Sequence, residues 1–599
     1  LKHAISCVAL CMALIGPAQA GPDDYDRVIS FGDSLSDNGN LKAAIGLPDY
    51  IGGRFSNGPT FAEILAGTAN FGAGESSQAR FWGPGFSVNL GAVTGDVNLA
   101  VGGARTVDGD LPSERLQIGA FLLAGGRFGE NDLVTMLAGA NDLFDLGFVP
   151  SVALSAAVTQ TQNVGAVIGA GGRTILVGNL PDLGATPAHS GDPAATAATN
   201  AFNQQLDQGL RQLAAAFPQA NIIQMDLHAT LAVALANPAA FGFTNVDSPC
   251  FISAANQCSN PDQFQFWDGV HPTAAGHRFL AQYAAALLST DEHGKDVAAL
   301  GDVAVSTRLE ASDILFRRGV SMLDDHTSGG LYAEIIGTGA NDYQLAGIRA
   351  GFDTKQYGLT FGGALAHLRG QVDAARLNSD ATTTQADIYA LYSMAPFFVG
   401  VEGGVSFTDY DDIRRDTTFP TVFGKADDTD STAYSLAATL GTQLKTGGIT
   451  LTPALRVGYL SADVGAFSES APLLALGYSE REIDAGFWTA RLRASSQVFH
   501  DLRSVAYVEA GYEDLFSVED GYSAKLVNNT AHAVDIDTDP SARGFFLKAG
   551  LSAYVTETAT LGAEYGVSFQ DGDDEVHSGR LTLRIPLGGP EEGLGGGKD

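Results

Sequence analysis

Near Gly330 the hydrophobic period of this chain changes. Beyond that point apolar residues recur at every second position. In the run Leu561-Gly562-Ala563-Glu564-Tyr565-Gly566-Val567-Ser568-Phe569-Gln570 the odd positions are apolar and the even ones are polar or Gly. The last run repeats this: Leu581, Leu583, Ile585 and Leu587 alternate with Arg580, Thr582, Arg584 and Pro586. A period of two places alternate side chains on opposite faces of a sheet. About twelve such segments reach to Leu587, an even number in the range of outer-membrane barrels. Acidic turns separate them, such as Asp409-Tyr410-Asp411-Asp412, and read as solvated outer loops. The competing fold is a soluble all-β domain with its apolar face inward. After the N-terminal segment no stretch approaches the roughly 18 continuous apolar residues of a membrane helix, so a membrane crossing falls to strands.

The half before residue 290 has another rhythm. Strands are expected at 28–31, 97–101, 133–138, 174–178 and 221–226, with Ala-rich helices at 152–168 and 197–217 between them. Apolar strands spaced by helices predict a parallel sheet covered on both faces. A closing helix is expected over 273–288, with Thr273 as its cap. A further helical stretch at about 303–323 mixes charged and apolar residues, which suits a linker in polar surroundings such as a wet pore. At 599 residues the chain exceeds what one core serves, so at least two domains are expected.

The N-terminus predicts export. Lys2 and His3 precede an apolar stretch at 4–15, and Ala18-Gln19-Ala20 forms a small-residue cleavage site before Gly21. Cys7 and Cys11 would leave with this signal. Cys250 and Cys258 remain, and in an exported chain they predict a disulfide closing a small loop. With no His at ligand spacing beside them they make a poor zinc site. The formal net charge of −34 argues against a nucleic-acid partner, because phosphate would be repelled.

The chemistry gathers at strand ends. The first strand runs into Gly32-Asp33-Ser34-Leu35, the second into Val101-Gly102-Gly103-Ala104, and the third into Gly139-Ala140-Asn141-Asp142. Late in the same half comes Asp268-Gly269-Val270-His271-Pro272. In open α/β sheets ligands bind at the carboxyl edge of the strands, where these motifs should meet. A serine hydroxyl needs a base, and His271 can serve Ser34. A carboxylate must orient that imidazole, and Asp268 stands three residues before it. The oxyanion needs donors, for which the N–H groups of Ser34 and Gly103 and the amide of Asn141 are candidates. Gly at 103 lets a backbone donor approach without a side chain in the way. Ser36 is expected to be a turn residue, Asp33 and Asp37 to be turn residues with assistance to the site as the other reading, and His228 and His277 to be structural or exposed.

These four motifs, in this order, resemble the four blocks of the GDSL or SGNH hydrolase family. The resemblance implies Ser34 as nucleophile, Gly103 and Asn141 in the oxyanion hole, and Asp268 and His271 as orienter and base. The segments Arg54-Phe55-Ser56-Asn57-Gly58-Pro59 and Asn179-Leu180-Pro181-Asp182-Leu183-Gly184 also resemble family members. The whole chain resembles the esterase autotransporters of proteobacteria, a form of type V secretion in which the passenger stays joined to its barrel.

That resemblance implies two domains: a flavodoxin-like α/β passenger with a parallel sheet flanked by helices, and an all-β transmembrane barrel of about 12 antiparallel strands with a linker helix. The expected boundaries are a signal at 1–20, the passenger at 21–290, a helical linker in the barrel pore at 291–328, the barrel at 329–588 and a polar tail at 589–599. Such barrels commonly finish on an aromatic residue, whereas here the last strand closes at Leu587. The expected function is a surface-exposed outer-membrane carboxylesterase, a serine esterase or lipase, acting through an acyl-serine intermediate with no cofactor or metal. Its expected partners are an acyl-ester or lipid substrate, outer-membrane lipid and the barrel assembly machinery, with the chain acting as a monomer. Two other readings are a polysaccharide O-acetylesterase of the same fold and a non-catalytic adhesin. Adhesin passengers are usually repetitive β-solenoids, and no such repeat is visible here.

Overall fold

The computed structural model describes residues 25–586, apart from 47–50, 68–77, 94, 108, 254, 325–328, 420, 500–502, 539, 541–543, 557–558 and 571–574. The expected signal, with Cys7 and Cys11, and the polar tail with Leu587 lie outside the described residues.

The first half is built on a six-stranded parallel sheet. Its strands are β1 (Arg27–Gly32), β2 (Ala79–Arg80), β3 (Val97–Asn98), β4 (Asp132–Leu137), β5 (Thr174–Gly178) and β6 (Asn221–Met225), in the spatial order β2-β3-β1-β4-β5-β6. The apolar runs are continuous because both faces are covered. Ile29, Phe31, Val134 and Met136 face α4 (Pro150–Gly169) and α5 (Pro193–Ala216); Val28, Leu133 and Leu176 face α1 (Phe61–Ala66) and α6 (Ala274–Leu288). Thr273 caps α6, its hydroxyl accepting the Gly276 N–H at 3.2 Å. The chain leaves β1 toward β3 on one side and returns to β4 on the other, which makes the carboxyl end of β1 a topological switch point. The second expected strand is cut short after Asn98. The ladder nevertheless continues, with the N–H groups of Leu99 and Val101 bonding the carbonyls of Ser30 and Gly32. Two short helices, α2 (Glu114–Leu123) and α3 (Ala140–Leu146), flank that end of the sheet.

The second half is a barrel of twelve long antiparallel strands, from β7 (Gly329–Gly339) to β18 (Glu575–Pro586). The last pairs with the first, from Gly330 opposite Pro586 to Gly339 opposite His577, so the sheet has no free edge. Its alternation is inside-out relative to a soluble domain. Leu581, Leu583 and Ile585 are 53%, 45% and 50% exposed, while Arg584 between them is 3% exposed. An apolar outer band around a polar interior is the pattern of a membrane barrel. Helix α7 (Ala298–Asp324) occupies that interior. Its Arg308 pairs with Asp387, Arg318 with Asp353, Arg317 with Glu564, and Asp313 with both Arg491 and Lys548. These partners come from strands all round the barrel. These opposite charges across the pore offset the cost of taking the helix's charged groups out of water.

The passenger sits on the barrel mouth. After β15 (Val505–Leu526) a rim loop lies along β6, the edge of the passenger sheet. Asn529 Oδ1 accepts the Gln224 N–H at 3.0 Å and its Nδ2 donates to the Gln224 carbonyl at 2.8 Å. The Thr530 hydroxyl donates to the Ile222 carbonyl at 2.6 Å, and Asn221 Oδ1 accepts the His532 N–H at 2.9 Å. Groups that an edge strand would leave open are thus filled by barrel residues. Beside them Phe279 and Tyr283 of α6 join barrel-rim residues in one apolar core.

Candidate active site

β1 ends where only glycine fits. Gly32 has φ +146°, and a Cβ there would collide with the carbonyl oxygen of Leu137. The Gln117 side chain on α2 clasps the same residue, accepting its N–H at 2.9 Å and donating to its carbonyl at 2.8 Å. The chain then turns sharply, with the N–H groups of Ser36 and Asp37 bonding the Asp33 carbonyl at 3.1 and 3.0 Å. Ser34 sits on this turn at the carboxyl edge of the sheet.

Its hydroxyl meets the loop before α6. Ser34 Oγ lies 2.8 Å from His271 Nε2, and His271 Nδ1 lies 2.8 and 2.9 Å from the two Asp268 oxygens. A carboxylate at Nδ1 holds the ring proton there, so Nε2 is left to accept from the hydroxyl. Asp268 Oδ1 also accepts the N–H groups of Val270 and His271, at 3.0 and 2.9 Å. Burial pushes the Asp268 carboxyl up, but the bond to His271, its charge and these two N–H groups outweigh burial and hold it below the usual range. Cys250 and Cys258 are disulfide-bonded. Their loop braces the Asp268 segment: the N–H groups of Cys250 and Phe251 bond the carbonyls of Phe266 and Trp267.

The remaining expected residues border the same turn. Gly103 has φ +78° and follows Val101, whose N–H bonds the Gly32 carbonyl. Asn141, in the first turn of α3, points Nδ2 at the Ala104 carbonyl at 3.1 Å and at Asp33 Oδ2 at 3.4 Å. Burial pushes the Asp33 carboxyl up to about 7, against the Leu35 N–H and the charge of His271. Ser36 is a buried turn residue. His277 is buried and neutral: its Nδ1 accepts the Phe61 N–H at 3.2 Å, and burial pushes its pKa down to about 3.

Sequence reasoning favoured a turn role for Asp37 over one at the site, and the structure adds a contact beyond the turn. Its Oδ1 accepts the N–H groups of Gly39 and Asn40 at 2.8 and 2.6 Å, and its Oδ2 those of Leu41 and Gly102 at 3.2 and 2.8 Å. Burial pushes the carboxyl up to about 6 despite these donors. One side chain therefore ties the nucleophile turn to the Gly102-Gly103 loop. Asp37→Asn would set an NH2 against two N–H donors and should lower the stability of the folded passenger by about 2–3 kcal/mol. Urea titration of the full chain in detergent, read by loss of hydrolysis, checks this; an unchanged midpoint would refute it. The segment 54–59 is a second brace. Phe55 lies 5.1 Å from the His271 ring, Ser56 Oγ donates to the Pro272 carbonyl at 3.0 Å, and Asn57 Oδ1 accepts the Ala274 N–H at 2.7 Å. Resemblance alone had marked these residues, because their partners lie more than two hundred positions away.

Residues 28–284 match the family model of the GDSL-like lipase/acylhydrolases, and residues 334–566 match that of the autotransporter beta-domain. Esterase EstA of Pseudomonas aeruginosa is 28% identical over 549 residues, which span 79% of this chain and 82% of that protein. A phosphatidylcholine-sterol acyltransferase of Aeromonas hydrophila is 26% identical, over 48% of this chain and 98% of its own. Among solved structures, the translocator domain of autotransporter NalP from Neisseria meningitidis covers 49% of this chain and 100% of its own, at 19% identity and a TM-score of 0.39. With a GDSL-like acylhydrolase in its first half and an autotransporter β-domain in its second, the chain belongs to the GDSL-family esterase autotransporters: it is a carboxylic ester hydrolase held on the outside of the outer membrane by its own barrel.

Proposed function

We propose that Ser34, His271 and Asp268 carry the ester hydrolysis. Ser34 Oγ attacks the ester carbonyl carbon as its proton passes to His271 Nε2, and Asp268 stabilises the imidazolium. The developing oxyanion faces the N–H groups of Ser34 and Gly103 and the amide of Asn141. Collapse expels the alcohol, which takes the proton from His271 and leaves an acyl-serine. Water, deprotonated by His271, then attacks the acyl carbon, releasing a carboxylic acid and restoring the hydroxyl. The 2.8 Å contact between Ser34 Oγ and His271 Nε2, with Asp268 at the far nitrogen, supports this reading most directly.

The proposal extends to the boundaries and assembly. A cleaved signal at 1–20, a passenger at 21–290, a pore linker at 291–328, a barrel at 329–588 and a tail at 589–599 make the functional units. The chain acts as a monomer, its barrel inserted by the outer-membrane assembly machinery; the closed β7–β18 seam supports a self-sufficient barrel. A fluorophosphonate probe tests the nucleophile. Applied to the full chain in detergent, it should leave one adduct on the peptide carrying Ser34, and labelling should slow sharply in His271→Ala. An adduct on another residue, with hydrolysis blocked, would overturn the assignment.

A further inference from the structure

We propose that His189 is a positioning residue for the hydrolysis: it ties helix α3 to a firmly held loop beside the Asp268–His271 turn and so sets where the Asn141 amide stands. The inference rests on Asn141 being an oxyanion donor in the Ser34 reaction. The His189 ring packs on two phenylalanines, one in α3 and one just past its end. It stacks on Phe144 with centroids 5.4 Å apart and planes 15° from parallel, and it meets Phe148 edge-on at 4.9 Å and 80°. Phe144 and Phe148 are themselves edge to face at 6.0 Å. Three rings packed in this way have few ways to slide, because stacked and edge-on contacts are both specific in geometry. Asn141 lies three residues before Phe144 on the same helix, so the two share one face of it.

The two sides of this contact are not equally fixed. His189 belongs to the loop after β5, and that loop is anchored on α5. Asp182 Oδ1 accepts the Gly184 N–H at 3.0 Å and the Thr196 hydroxyl at 2.8 Å. The Thr186 hydroxyl donates to the Leu183 carbonyl at 2.7 Å, and the Gly191 N–H to the Gly184 carbonyl at 2.9 Å. A Cβ at Gly184 would collide with the Thr196 hydroxyl, so the loop lies directly on α5. The same loop meets the acid–base turn, where the Ala188 N–H donates to the Gly269 carbonyl at 2.8 Å. Helix α3, by contrast, has only seven residues. Asp142 holds its first turn to the loop that carries Gly103, accepting the Thr106 N–H and hydroxyl at 2.9 Å each. Leu143 roots the helix in the passenger core. Past Leu143 the helix lies nearer solvent, with Leu146 56% exposed, and there the His189 stack joins it to the Asp268 side of the site.

An oxyanion donor helps only where it meets the developing charge, and a misplacement of about 1 Å can cost roughly a hundredfold in rate. The ester in its ground state gains little from that donor, so a loosened α3 shows in kcat rather than in KM. The Asp268–His271 turn keeps its other braces, from Cys250 and Phe251 and from Ser56. Loss of the His189 ring therefore displaces Asn141 rather than His271.

The test is a double-mutant cycle on the full chain in detergent, with p-nitrophenyl butyrate as substrate. His189→Ala should lower kcat about tenfold and leave KM within about twofold. His189→Phe, which keeps a ring against both phenylalanines, should restore most of the loss. Asn141→Ala should lower kcat about a hundredfold or more. Adding His189→Ala to it should cost less than about twofold more, because the donor that His189 positions is already gone. Should His189→Ala fail to fold, Phe144→Leu carries the same test: it removes the stacked ring but keeps apolar bulk, and its loss in kcat should likewise vanish in the Asn141→Ala background. A kcat unchanged in His189→Ala, a loss that His189→Phe does not restore, or a loss that persists beside Asn141→Ala overturns the inference and leaves Asn141 as donor. Wild-type kcat in Asn141→Ala would instead sink the oxyanion assignment, and this inference with it.

Discussion

Ser34→Ala should lower kcat for a short acyl p-nitrophenyl ester by about a millionfold while the passenger stays folded. The substitution removes the atom that forms the covalent bond and leaves the rest of the pocket in place. Losing Oγ also removes the 2.8 Å contact with His271 Nε2, a partly buried hydrogen bond worth about 1 kcal/mol to the fold. That is small against the stability of a domain. The backbone of the turn is held by the Asp33 carbonyl and by Asp37, neither of which the change touches. A residual rate above water is expected from binding and the N–H donors alone. Hydrolysis at the wild-type rate in this variant would show that another residue attacks the ester.

Asp268→Asn should lower kcat about ten-thousandfold, with little effect on KM. The new side chain can keep its oxygen toward the N–H groups of Val270 and His271, which Oδ1 now accepts at 3.0 and 2.9 Å. Its NH2 then faces His271 Nδ1, where the second carboxylate oxygen lies at 2.8 Å. The NH2 opposes a proton on Nδ1 and donates to a bare one, which favours the tautomer with the proton on Nε2 over the one in which Nδ1 keeps only its 2.9 Å contact with Oδ1. In that tautomer Nε2 cannot take the proton from Ser34. The carboxylate that would steady the imidazolium is lost in the same step. Measuring kcat and KM with p-nitrophenyl butyrate, beside a circular dichroism spectrum, separates this from unfolding. A loss of less than about tenfold would mean that Asp268 only shapes the loop.

Much of this was legible in residues close in sequence. The strand at Thr174–Gly178 falls where its apolar run lies, and α6 starts at the residue after its Thr273 cap. The period of two beyond Gly330 counts the barrel strands because each strand obeys it locally. Ser34, Asp268 and His271 were visible as motifs for the same reason, since a turn after a strand and an Asp-x-x-His loop are short-range patterns. Asp37 was expected to be a turn residue or an aid to the site, and the turn role is there, but its tie to the next loop was not visible. Three of its four partners are local, but the fourth, the Gly102 N–H, is 65 positions away and has no local signature. The brace from Ser56 and Asn57 was hidden in the same way.

The local order of apolar and polar residues was enough to call for two sheets of different kind, the helix between them and a set of motifs at the carboxyl edge of the first sheet. Folding decided which face of the alternating strands meets lipid, since a period of two is the same pattern for either orientation. It also decided that Asn529 and Thr530 of the barrel complete the edge of β6, and that Phe419 packs behind Phe279. Such contacts join segments whose sequences carry no trace of each other, because hydrogen-bond and packing partners are chosen by distance in space rather than by separation along the chain.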